Sequence, residues 1–196
     1  MLATVLLTST ARAATLQTAV FAGGCFWGVE AVFEHVKGVK SVVSGYVGGT
    51  VVNPDYETVT SGRTGHAEAV KVTFDPAVVS YETLLAVFFT VAHNPTELNR
   101  QGPDVGTQYR SAIFFANAEQ QKSATTVIAQ LTQAKVFPRP IVTQVASLSK
   151  FYDAETYHQN YLYSHTDQPY IVYNDLPKID ALKKQYPALW EKTQGK

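Results

Sequence analysis

Hydrophobic periods follow one another along this 196-residue chain in an order that few folds accommodate: strand, helix, strand, strand, helix, strand. Thr18–Ala22 is a short apolar run ending in Gly23-Gly24, as a buried strand does at a turn. From Cys25 to Val36 the apolar residues Phe26, Val29, Phe33 and Val36 recur at helical spacing, with Gly38 as the stop. Val39–Val47 reads as a strand closed by Gly48-Gly49, and a polar loop with Asn53-Pro54-Asp55 follows. His66–Phe74 alternates with period two before Asp75-Pro76 turns the chain. Tyr81–Ala92 reads as an apolar helix and Tyr109–Ala116 as a strand. Asn117 and Gln120 form a capping box for a helix reaching Lys135, and Ile141–Ala146 is a further strand. Beyond Lys150 the pattern is irregular with short helices, Lys178–Tyr186 among them. This is the order of a split β-α-β unit. The expected class is therefore α+β: a two-layer sandwich with a ferredoxin-like core, its sheet extended by the added helix and strand, and an irregular C-terminal extension.

At this length, with 45% hydrophobic residues, one sizeable core is affordable, and residues 15–196 are expected to form a single domain. Sixteen basic residues balance sixteen acidic ones. Nothing in that balance steers the chain to nucleic acid or an anionic membrane surface. Residues 1–14 stand apart. Leu2–Leu7 is a short apolar run, and Ala11-Arg12-Ala13 fits the small-x-small pattern before a signal cleavage site, although the usual basic start is missing. Two readings follow: a weak export signal, with a periplasmic or secreted protein, or a disordered tail on a cytoplasmic one. The run is too short to span a membrane, and so is every other apolar stretch.

The chain has one cysteine, Cys25, within Gly24-Cys25-Phe26-Trp27-Gly28, where a strand pattern gives way to a helix pattern. One cysteine excludes an internal disulfide and the usual zinc sets, so no metal is expected. Cys25 is either a small buried hydrophobe or a reactive centre. At a helix N-terminus its pKa is expected to fall, since free N–H groups and the helix dipole favour a thiolate. The flanking glycines favour the reactive reading, because they leave room for another molecule to approach the backbone. Phe26 fits the buried stripe of the helix; Trp27 falls off it and is expected to wall an apolar pocket beside the sulfur.

Glu68 shares one face of its strand with Val70, Val72 and Phe74, so its carboxylate points to the apolar side or, at the strand end, reaches solvent. Burial would raise its pKa towards that of a proton donor at neutral pH. His66 lies on the same face and reads as a hydrogen-bonded structural histidine. Asp104, in the polar loop before Tyr109, either caps a turn or orients a neighbour. Tyr56 is ambiguous by itself.

Together these segments resemble the peptide methionine sulfoxide reductase A family, over nearly the whole span from Ala19 to Leu162. The resemblance rests on Gly24–Gly28, Asn53-Pro54-Asp55-Tyr56-Glu57, Thr64-Gly65-His66-Ala67-Glu68, Asn99-Arg100-Gln101-Gly102, Asp104–Ser111 and Tyr157-His158-Gln159. It implies an enzyme of protein repair under oxidative stress that reduces the S epimer of methionine sulfoxide, free or in proteins and peptides. It also implies a role for each residue. Cys25 is the nucleophile on sulfur and Glu68 the acid on oxygen. Tyr56 and Tyr109 hydrogen-bond that oxygen, Asp104 positions the substrate, and Phe26 and Trp27 hold the methyl group.

Many members of the family carry further cysteines near the C-terminus that resolve the sulfenic acid; Ser164–Lys196 has none. The expectation is a monomer without a bound cofactor, recycled by an external thiol such as thioredoxin, glutaredoxin or glutathione. Two other readings of a lone reactive cysteine are a redox sensor without turnover and a cysteine hydrolase. The latter needs a histidine base, for which His66 or His158 would have to serve.

Overall fold

The computed structural model describes residues 15–193. In chain order the elements are β1 (Gln17–Gly23), α1 (Phe26–Glu34), β2 (Val39–Val47), α2 (Tyr56–Thr60), β3 (Ala67–Phe74), α3 (Tyr81–Val87), β4 (Arg100–Gln101), β5 (Asp104–Val105), β6 (Ser111–Phe115), α4 (Ala118–Gln133), β7 (Gln144–Ser147), β8 (Tyr152–Asp153), α5 (Tyr161–Ser164) and α6 (Leu176–Gln185). A π turn over Phe88–Ala92 prolongs α3, and another over Ile171–Asp175 leads into α6. Residues 1–14, with the expected signal or tail, lie outside the described residues.

Six strands form one sheet in the order β7-β6-β1-β3-β2-β8, and β4 and β5 make a separate small hairpin. β3 lies between β1 and β2 and is antiparallel to both; β1 and β6 are antiparallel, β6 and β7 parallel. The class is α+β, as expected. Period-two alternation sorts the side chains. Ala19, Phe21, Val70, Val72 and Phe74 face a large core shared with α1, α3, α4 and α6. Val20, Ala22, Ala67, Ala69 and Phe114 face the other side, where loop residues Leu148 and Phe151 cover them. Phe21 sits at the centre of the helical side, stacked on Phe33 and Phe88 with ring centroids 5.2 and 4.9 Å away.

Several local expectations shift. The loop with Asn53-Pro54-Asp55 opens a five-residue helix, α2, because Asp55 and Thr58 cap it reciprocally. Tyr109 belongs to a 3₁₀ turn (Thr107–Tyr109), and the strand starts two residues later at Ser111. Asn117 caps α4 as expected. Gln120, however, accepts the Ala116 N–H rather than that of Asn117, and its amide donates to the Thr18 carbonyl of β1. Within the irregular C-terminal stretch, β8 pairs with β2 at Gly45 and Tyr46. Next to it the Gln159 side chain behaves like a peptide unit. Its Oε1 accepts from Ser44 N–H at 2.9 Å and its Nε2 donates to Ser44 O at 3.0 Å.

Candidate active site

The site is built where β1 hands over to α1. Gly24 turns the chain with φ +91°, and a Cβ there would collide with the Gln101 side chain at 2.6 Å. Gln101 is itself fixed by exchanging hydrogen bonds with the backbone of Asn94. Gly28, in the first turn of α1, faces Asp175, whose Oδ1 occupies the space a Cβ would need. The two glycines therefore admit this chain's own Gln101 and Asp175, not an incoming molecule, and that part of the sequence reading is corrected. Cys25 takes the N-cap position of α1 but makes no side-chain cap bond.

All seven expected site residues line a single cavity of about 240 Å³: Cys25, Phe26, Trp27, Tyr56, Glu68, Asp104 and Tyr109, joined by Gln168 and Tyr170. β3 carries Glu68 into the helical face, where it is almost wholly buried and accepts the Phe26 N–H at 3.1 Å. That amide is one of the free donors of the α1 N-terminus. Burial pushes the Glu68 carboxyl from 4.5 up to about 8 against the opposing pull of this hydrogen bond; of the two readings left open by the sequence, the buried one holds.

Cys25 departs from expectation. Only 6% exposed, its thiol is held well above its ordinary value, first by burial and then by the carboxylates of Glu68 and Asp175. The Trp27 amide and the Lys178 ammonium pull the other way without prevailing. Loss of hydration outweighs the helix terminus. The resting pair is thus a thiol facing a carboxylic acid.

Trp27 walls the cavity as expected. Its ring stacks on Tyr161 with centroids 3.8 Å apart, and its Nε1–H donates to His158 Nδ1 at 3.1 Å. Phe26 is both core and cavity wall. Tyr56 N–H donates to Glu155 Oε1 at 2.8 Å, and the same carboxylate accepts from Tyr46 through its other oxygen. Burial and the nearby Glu68 raise the Tyr56 phenol to about 12, and Tyr109 moves the same way for the same reasons. Both hydroxyls are therefore donors at neutral pH. Asp104 accepts a hydrogen bond from Tyr170. Burial raises its carboxyl, and Tyr170 and Lys178 restrain the rise.

His66 is structural, as read. It accepts the Gly49 N–H at 3.1 Å through Nδ1 and bonds the Val51 carbonyl at 2.8 Å through Nε2. Neither ring nitrogen is left to act as a hydrolase base. His158 is tied to Trp27.

Gln168, Tyr170, Asp175 and Lys178 were missed by sequence reasoning because the stretch that carries them has no clean period. A proline in the first turn of α6 was the available signal, since Pro177 marks a helix start close to Asp175. Among the described residues no group of three or more histidine, cysteine or carboxylate side chains has the geometry to hold a metal. No described helix is long and apolar enough to cross a membrane.

Comparison with known proteins bears on the chemistry. Residues 17–190 match the family model described as peptide methionine sulfoxide reductase. The peptide methionine sulfoxide reductase MsrA 2 of Mesorhizobium japonicum is 58% identical over 174 residues, which is 89% of each chain. The corresponding MsrA of Deinococcus radiodurans is 54% identical over 173 residues, 88% of this chain and 84% of that one. Among solved structures, the reduced form of Mxr1 from Saccharomyces cerevisiae superposes with a TM-score of 0.71 at 31% identity, covering 78% of this chain and 87% of that one. Methionine sulfoxide reductase A of Corynebacterium diphtheriae follows with a TM-score of 0.68 at 34% identity, covering 77% and 76%. With this site on this fold, the chain belongs to the peptide methionine sulfoxide reductase family and reduces methionine sulfoxide to methionine.

Proposed function

We propose that this reduction takes place at Cys25 with Glu68 as the proton donor. One observation carries the assignment: a carboxyl buried enough to keep its proton at neutral pH shares a cavity with the one thiol of the chain. A sulfoxide sulfur becomes electrophilic as its oxygen gains a proton, so acid and nucleophile have to converge on adjacent atoms. Glu68 protonates the oxygen while the Cys25 sulfur attacks the sulfoxide sulfur, and the thiol proton returns to the Glu68 carboxylate. The substrate sulfur gains two electrons and Cys25 loses two. The oxygen leaves on Cys25 as a sulfenic acid, a reversible state, and methionine departs. Phe26 and Trp27 receive the methyl group, and Tyr56 and Tyr109 donate to the oxygen. Asp104, held by Tyr170, orients the substrate. With methyl and oxygen assigned to different walls, the site discriminates between the two epimers at sulfur; membership of the family implies that the S epimer is the one reduced.

Recycling falls to an external thiol, because the chain has no second cysteine. The thiol attacks the sulfenic acid, water leaves, and a mixed disulfide forms that a second thiol releases. Yeast Mxr1 has a solved structure in complex with Trx2; a thioredoxin-like protein or glutathione is the partner we assign here. The test is a peptide carrying each epimer of methionine sulfoxide, incubated with dithiothreitol or glutathione. Many equivalents of methionine from the S epimer are expected, and none from Cys25→Ser. A single equivalent per chain would refute the one-cysteine scheme, and sulfenylation without methionine would favour a sensor. We read residues 1–14 as an export signal, which the mass of the mature N-terminus tests.

A further inference from the structure

Lys178 stands at the first turn of α1, a place that helix stability does not explain. Its Nζ donates to Asp175 Oδ1 at 3.0 Å; the Asp175 side chain is fully buried and the lysine 22% exposed. A Cβ at Gly28 would lie 2.0 Å from Asp175 Oδ1 and 2.9 Å from Lys178 Nζ, so both charges abut the turn that begins at Cys25. A cation at a helix N-terminus opposes the dipole. A buried ion pair also repays its desolvation poorly, and here the second oxygen of Asp175 has no hydrogen-bond partner. The surroundings supply another reason. Glu68 from β3, Asp104 from β5, Tyr56 from α2, Tyr109 from the 3₁₀ turn and Tyr170 ahead of α6 line the cavity with Cys25, and the charge of Asp175, at the start of α6, also bears on the thiol. All of these become anionic or stay neutral. Lys178 brings a positive charge to bear on Cys25 and on Asp104.

We propose that Lys178, held in place by Asp175, is a positioning cation that sustains the Cys25 thiolate. The proposal rests on Cys25 being the nucleophile and extends that role to recycling. In the final exchange a thiolate of the reductant attacks the reductant's own sulfur in the mixed disulfide. A new disulfide forms between the two reductant sulfurs, and the electron pair of the broken bond leaves on Cys25. The Cys25 sulfur is thus an attacking group once and a leaving group once in each turnover, and stabilising its anion favours departure. Asp175 moderates the charge, since an unbalanced ammonium would favour the thiolate at rest.

The test is the pH dependence of Cys25 alkylation by iodoacetamide in the full chain, which reads the thiolate without turnover. Asp175→Asn keeps an oxygen for Lys178 but removes the counter-charge. Its midpoint is expected to fall by about one pH unit, a tenfold gain in thiolate below the midpoint. Adding Lys178→Met to that variant is expected to cancel the fall. Lys178→Met alone, at a partly exposed side chain, is expected to raise the midpoint and to slow methionine formation with dithiothreitol, while Lys178→Arg restores both. Coincident profiles for Asp175→Asn and the double variant, or an unmoved profile for Lys178→Met, would overturn the proposal. Absence of methionine from Cys25→Ser tests the nucleophile separately, so the two failures are distinguishable.

Discussion

Glu68→Gln is expected to inactivate the enzyme and stabilise it at the same time. Burial holds the Glu68 carboxyl at about 8. At pH 7 roughly nine in ten molecules therefore keep the proton, against fewer than about one in a hundred for an ordinary glutamate. The cost of that arrangement depends on pH. Below 4.5 both folded and unfolded chains carry the proton. Between 4.5 and about 8 the unfolded chain releases it and the native chain does not, so stability falls as pH rises. Above about 8 both release it and the loss is complete. At about 1.4 kcal/mol per pH unit, the whole interval amounts to roughly 5 kcal/mol, of which roughly 3 is already lost at pH 7. Glutamine has the same shape, still offers an acceptor to Phe26 N–H, and never ionises. Urea unfolding at pH 4.5 and pH 7 should show the variant gaining roughly 3 kcal/mol on the wild type between the two conditions. Methionine formation should fall roughly 10²–10⁴-fold, the usual contribution of a positioned acid, with KM little changed. Wild-type activity should decline as pH rises through about 8. A stability difference that ignores pH, or a variant that turns over normally, would refute the reasoning that Glu68 is a buried, protonated acid.

Gly28→Ala should destabilise the chain by about 1–3 kcal/mol, read as a lower Tm. Alanine suits a helix better than glycine by about 1 kcal/mol, yet a Cβ 2.0 Å from a buried carboxylate oxygen outweighs that gain, and activity should fall with it. Tyr170→Phe removes the donor that holds the Asp104 carboxyl down, so the acid limb of the kcat/KM profile should move to higher pH while the Tm changes little.

How much of this was legible in the sequence depended on periodicity. Strands β1, β2 and β3 and helix α1 carry clean patterns, so Glu68 was assigned to the correct face and Cys25 to the start of a helix. Identity and face were readable; the electrostatic balance was not. The rise in the Cys25 thiol comes first from burial, then from Glu68 and from Asp175, 150 positions further along, a balance that no local pattern announces. Burial of nearly the whole circumference of α1 is equally unannounced. For Trp27, the aromatic partner Tyr161 lies in the irregular segment, so its wall was predictable only as an orphan position on a helical wheel. Helix α2 was missed because five residues give no period to read, although its capping pair Asp55 and Thr58 was in plain sight.

The amide of Gln159, set against Ser44 on the outer strand β2, has a consequence beyond the cavity. β8 covers β2 at only two residues, which leaves an open edge where another chain could add a strand. At the next residue, Ser44, Gln159 takes the N–H and shares the carbonyl with the Ala154 N–H, and so works as an end-stop on the sheet. An extended peptide segment is the partner that an open edge would recruit. The side chain that finishes the sheet thus leaves such a segment no free backbone group at Ser44 to pair with.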